Sequence, residues 1–193
     1  MFLSLTDFSN CTDFVLMLTK NTYIKAIAVV LICTTISGCD RLQVPDSCLD
    51  FFGSGERPGF ELLPNGMVRH NDTRTTWYRC PAGTAYQASR CQGSPLYTSW
   101  EQASEYAVEF SQQTALPWRL PTNSEMENLT EKQCNAPTLN PQVFGALDIE
   151  NYWTSTRTLH NDMFRCVYYT QNGSLNCREL RTLEHPFLLV LDD

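Results

Sequence analysis

The 193-residue chain reads as an α+β protein. Helical periodicity is confined to two short stretches in the middle of the sequence, and strand-like runs separated by turn residues follow them. Of nine cysteines, six remain once a leader and Cys39 at its end are set aside, an even number that points to disulfides in an oxidising compartment.

The leader comes first in chain order. Lys20 and Lys25 precede an apolar run from Ala26 to Ile36, about eleven residues against the roughly twenty a spanning helix needs. The run ends in Ile36-Ser37-Gly38-Cys39, small residues before a cysteine, and residues 1–38 read as a signal peptide. The junction resembles the bacterial lipobox, which implies cleavage before Cys39 and acylation of its thiol, an anchor to the membrane. Residues 1–16 carry Asp7 and Asp13 and no base, whereas a leader starting at Met17 has the expected positive flank.

Fourteen basic and twenty-one acidic residues give a net charge of −7. Loss of residues 1–38 removes Asp7, Asp13, Lys20 and Lys25, two of each sign, so the balance is unchanged. That surface argues against nucleic acid and other polyanions unless arginines cluster locally.

Residues 39–58 hold Pro, Gly and Ser without a period and read as a lipid-anchored tether pinned at Cys48; residues 59–193 form the domain. Phe60-Glu61-Leu62-Leu63 and Met67-Val68-Arg69-His70 flank Pro64-Asn65-Gly66, a hairpin signature. Residues 75–80 continue in extended form. Cys80 and Cys91 enclose a short turn-rich excursion and are the favoured single disulfide, while the pairing of Cys48, Cys134, Cys166 and Cys177 stays open.

Two helix starts use one device. Thr98 with Glu101, and Thr122 with Glu125, fit the capping box. Trp100, Ala103, Ala107 and Phe110 follow at helical spacing in the first, Met126 and Leu129 in the second. Between the helices, Trp118-Arg119-Leu120-Pro121 is an extended piece in which every member has a packing or turning role. It reads as scaffold. Beyond the Asn- and Pro-rich stretch after Cys134, residues 151–158, 164–170 and 174–180 read as strands, with Asn172-Gly173 as a turn, and residues 186–192 as a buried last strand.

The order of GMVRHNDTRTTWYRCPAGTAYQASRCQG, TSWEQASEYA, PWRLPTNSEMENL and NYWTST resembles the Lcl C-terminal domain family, over roughly residues 60–192. The resemblance implies a C-type-lectin-like fold, distantly similar to formylglycine-generating enzymes. The collagen-like Gly-X-Y stalk of the family's namesake is absent from this sequence.

Catalytic signals are weak. Cys166 and Cys177, the late pair an enzyme of the formylglycine-generating type would need, lie in strands of an oxidised domain and read as structural. His70, His160 and His185 have no Ser, Cys or carboxylate at triad-like spacing. Asp148, Glu150 and Asp162 could donate oxygen to calcium, but the sugar-binding calcium motifs of C-type lectins are missing, so neither a metal nor a cofactor is expected. In lectin-like folds the excursion between the second helix and the late strands recognises the ligand, here about residues 135–162. Tyr152, Arg157 and His160 are its interface-type residues, and Trp153 is assigned to the core.

The expectation is therefore a non-catalytic binding domain for a protein or glycan, held in the bacterial cell envelope facing the periplasm, with outer-surface display as a variant. Asp40 after the anchor cysteine implies, by the lipoprotein resemblance, inner-membrane retention in enteric bacteria. An immunity or inhibitor lipoprotein that neutralises a basic toxin is the rival reading.

Overall fold

The computed structural model describes residues 46–158 and 161–192. The signal peptide and Cys39 lie outside them, as does His160.

The element order is α1 (Cys48–Phe51), β1 (Phe60–Leu62), β2 (Met67–His70), β3 (Thr76–Tyr78), β4 (Ala85–Gln87), β5 (Arg90–Gln92), α2 (Trp100–Thr114), β6 (Trp118–Arg119), α3 (Asn123–Asn128), β7 (Asn151–Arg157), β8 (Phe164–Tyr169), β9 (Ser174–Leu180) and β10 (Val190–Leu191). All strand pairing within these elements is antiparallel. The strands form a five-stranded sheet β1-β2-β3-β10-β6, a three-stranded sheet β7-β8-β9, and the small β4-β5 ribbon. With two helices of more than one turn among the described residues and mostly short strands, the architecture is α+β, as the sequence indicates.

Turn chemistry sets the hairpins. Asn65 and Gly66 both have positive φ, 57° and 74°, and the Met67 amide donates to the Pro64 carbonyl at 3.2 Å. A Cβ on Gly66 would run into the Tyr86 side chain, so glycine serves there both as hinge and as spacer.

The second capping box is the expected one. Thr122 Oγ1 accepts from the Glu125 amide and the Glu125 carboxylate accepts from the Thr122 amide. The first is shifted by one residue. Ser99, not Thr98, is the N-cap of α2, with Gln102 in the place expected for Glu101. Thr98 is drawn instead into a two-way backbone bridge with His185, which leaves its neighbour to begin the helix. Glu101 is thereby freed to pair with Arg181.

Two large apolar clusters fill the domain, with a few segments between them and a small third cluster around Cys48, Phe52 and Cys134. Tyr152, Tyr168, Leu188 and Val190 face one cluster with Trp77, Met126 and Phe144. Trp153, Val167, Phe187 and Leu189 face the other with Trp100, Ala103, Ala107 and Trp118. Alternate side chains of β7, β8 and residues 187–190 therefore enter different cores, which is why these stretches are almost continuously apolar. Trp118 is 5% exposed and Leu120 3%, the packing role expected of that motif. Arg119 between them donates to Glu125 at 2.8 and 2.9 Å and to Asp192 at 2.8 Å. Burial pushes the Glu125 carboxyl up, but the Arg119 fork and two Thr122 donors together outweigh it and hold its pKa below the usual range.

Three disulfides staple this core, Cys48–Cys134, Cys80–Cys91 and Cys166–Cys177. The first ties residues 46–58 to the loop after α3. Cys48 N–H donates to the Asn135 carbonyl at 2.8 Å, and Arg57 Nε donates to the Gln142 carbonyl at 2.8 Å. Phe52 is buried beside the bridge, whereas Leu49 and Phe51 are 61% and 41% exposed. β9 is an edge of its sheet. Its register against β8 shifts between Arg165 and Val167, and the Arg178 amide donates to its own neighbour's Asn176 Oδ1 at 3.0 Å.

Candidate functional site

Where β7 ends, β8 begins and β9 ends, the chain brings several long side chains to one end of the three-stranded sheet. Arg157 pairs in register with Arg165, and Arg165 with Glu179. The N-terminus of α2 docks against the same end, because the Trp100 amide donates to the Arg181 carbonyl and its indole Nε1 to the Thr154 carbonyl, at 2.9 and 2.7 Å. This fixes the indole as a platform. The Arg165 guanidinium lies 4.4 Å from its centroid and that of Arg157 5.8 Å.

The two arginines differ in what they have left to give. Arg165 is 3% exposed; it donates to the Asp162 and Phe164 carbonyls and to Asp162 Oδ1, and its Nε is buried without a partner among the described residues. It is a clamp that holds the 161–164 turn onto Trp100. Arg157, by contrast, is exposed at the strand end, and no ion pair within the described residues engages it. Arg181 bridges Glu101 at 2.8 Å and Asp162 at 3.7 Å. Hydrogen bonding from Arg165 keeps the Asp162 carboxyl below its usual pKa, with Arg181 and Arg157 acting in the same direction through space.

Beside this charged group sit three exposed apolar side chains. Met163 is 55% exposed, Leu180 43% and Leu183 44%. Their backbones are tied together, since the Arg181 amide donates to the Met163 carbonyl and the Leu183 amide to the Leu180 carbonyl, both at 3.0 Å. Exposed apolar residues with arginines around them have the composition of a protein-facing surface.

Of the residues singled out from the sequence, Arg157 falls in this surface and His160 lies outside the described residues. Tyr152 does not belong to it. It is fully buried, and its hydroxyl accepts from the Asp148 amide at 3.1 Å, with burial the main cause of a strongly raised phenol pKa. Tyr152 is a core residue, and the assignment to ligand contact is corrected. Its amphipathic ring suits a buried strand with one polar partner as well as it suits an interface. Trp153 is in the core as expected.

The residues considered for calcium are differently engaged. Asp148 accepts from the Tyr97 hydroxyl at 2.8 Å, and Asp162 is engaged with Arg165 and Arg181. Among the described residues no group of three or more His, Cys, Asp or Glu side chains converges to hold a metal ion. His185 Nε2 lies 3.1 Å from Glu179 Oε1, and His70 Nδ1 2.8 Å from Thr73 Oγ1, both short-range pairs within the fold. An open groove of about 540 Å³ runs past Val108, Leu116, Pro117 and Trp118 to Arg119 and Asp192, whose charges are spent on each other.

The family model of the Lcl C-terminal domain matches residues 66–190, well over half of the chain. The chain belongs to this family. No curated protein and no solved structure matches it. The Lcl C-terminal match begins at the β2 hairpin turn and ends in β10, so it takes in both core clusters, the Trp100 platform and the whole of the Arg157–Leu183 surface. The Cys48 segment lies before it.

Sequence reading missed Trp100, Arg165, Arg181, Met163, Leu180 and Leu183 as members of this surface. A signal existed for one of them: an arginine inside the otherwise apolar run FRCVYY needs a buried partner, and an aromatic face is a common one.

Proposed function

We propose that the chain is a lipid-anchored protein of the bacterial cell envelope, facing the periplasm, and that its Lcl C-terminal domain is a non-catalytic, lectin-like binding module for a protein or glycan. The lipobox-like Ile36-Ser37-Gly38-Cys39 supports the anchor. One observation carries the binding role: exposed Met163, Leu180 and Leu183 stand beside an Arg157 that makes no ion pair among the described residues, on a platform that Trp100 and Arg165 make rigid. Recognition surfaces combine such anchors with a pre-organised base. All six described cysteines are taken up in disulfides, which supports a reading without thiol chemistry.

The test separates surface from scaffold. A photo-crosslinking residue at Met163 or Leu183 in the cell is expected to trap one partner, and Arg157→Ala to weaken that capture while leaving the melting temperature within a degree or two. A glycan array on the purified protein covers the carbohydrate branch. Arg165→Ala should instead lower the melting temperature, because it removes a buried clamp. If crosslinks and array are both blank, or if Arg157→Ala melts as badly as Arg165→Ala, the surface is structural and the proposal fails.

A further inference from the structure

We propose that α1 is a membrane-contact foot, in which Leu49 and Phe51 enter the interface of the bilayer that holds the anchor; this rests on the acylation of Cys39 proposed above. Both side chains are exposed on a four-residue helix, 61% and 41% accessible. The helix is not free to turn away. Cys48 is fully buried and bonded to Cys134, Phe52 is packed beneath, and Ser47 and Cys48 are bridged to Asn135. Phe51 is braced edge-on against Phe52, ring centroids 5.0 Å apart.

Chain length then decides which face meets the lipid. Eight residues lie between Cys39 and Cys48, and such a segment spans at most about 30 Å. A folded domain of this size has a radius of gyration of about 15 Å, so a path around it to the opposite face is about 60 Å. The tether cannot present that far face to the bilayer. It can present α1, whose two apolar side chains are of the kind that lie in the headgroup region.

The charge nearby selects the lipid. Asp46, Asp50 and Glu56 are exposed around the foot, while Arg57 is turned inward onto the Gln142 carbonyl. An acidic rim is repelled by anionic headgroups, so the surface is a neutral one, such as phosphatidylethanolamine with phosphatidylcholine.

Phe51→Trp in the acylated full chain, reconstituted in vesicles whose phosphatidylcholine carries brominated acyl chains, tests this directly. The native tryptophans are buried and provide a constant background. The added indole is expected to shift to the blue and lose about half of its emission, with less quenching when phosphatidylglycerol is included. Val108→Trp, on an exposed position of α2, should be unquenched. An intact mass on the same sample reports the lipid on Cys39 independently. Unacylated protein would refute the anchor, whereas acylated protein with Phe51→Trp quenched no more than Val108→Trp would refute the foot alone. A blue shift in detergent that grows with protein concentration, without quenching in vesicles, would mean that a second copy covers α1 and would equally overturn it.

Discussion

Replacing Cys48 and Cys134 together by alanine is expected to be the costliest of the three disulfide deletions. The bridge closes a loop with a sequence separation of 86, against 11 for each of the other two. Loop-closure entropy makes that about 4.6 kcal/mol for the long loop and about 2.8 kcal/mol for a short one at 25 °C. The long bridge also joins the first described segment to the loop after α3, so its absence frees residues that otherwise rest on a few hydrogen bonds and one buried ring. Alanine is the right replacement because Cys48 is fully buried and Cys134 nearly so, and a serine hydroxyl would add its own desolvation cost. Urea unfolding of the Cys48/Cys134 and Cys80/Cys91 double variants, each fitted for midpoint and slope, gives the comparison. The reasoning is refuted if the long-loop variant loses no more stability than the short-loop one. That result would mean residues 46–58 open locally and never belonged to the cooperative unit.

Three further outcomes follow from the core and the caps. Trp118→Ala should cost about 3–5 kcal/mol, visible as a large fall in thermal midpoint, because the ring is buried between α2 and β3 side chains. Ser99→Ala and Thr122→Ala should each cost about 1 kcal/mol in urea melts, whereas Thr98→Val should cost nothing, since Thr98 Oγ1 is buried without a partner among the described residues. The depressed Glu125 carboxyl contributes stability that is fully present above its ordinary pKa of 4.5 and is lost as pH falls through the lower folded value. Unfolding measured from pH 6 down to pH 3 should therefore show a steeper acid loss in the wild type than in Glu125→Gln.

The fold was legible where local chemistry determines it. Asn65-Gly66, the Thr122–Glu125 box and the Cys80–Cys91 loop are each settled within a dozen residues, and all three are in place. The α2 cap slipped by one residue because Thr98 answers to His185, a partner far along the chain that no window around residue 98 contains. Tyr152 was misread for a related reason. A strand covered on one face alternates, and alternation would have put either Tyr152 or Trp153 outside; β7 is covered on both faces, so neither is. The Cys48–Cys134 pairing and the gathering of Arg157 and Arg165 on Trp100 depend on strand register and helix docking, which sequence spacing does not encode.

The outer strand of the three-stranded sheet has a consequence for how copies of this domain meet at high concentration. Seven residues of open sheet edge would invite another chain to add on and seed a fibril. In β9 that template is spoiled from within: the register slips midway, Asn176 occupies the amide of Arg178, and the Arg178 side chain stands exposed with its charge. A neighbouring copy sliding alongside finds a donor already used, a kinked spacing and a guanidinium meeting its own counterpart. Crowding then brings these domains close without zipping them together.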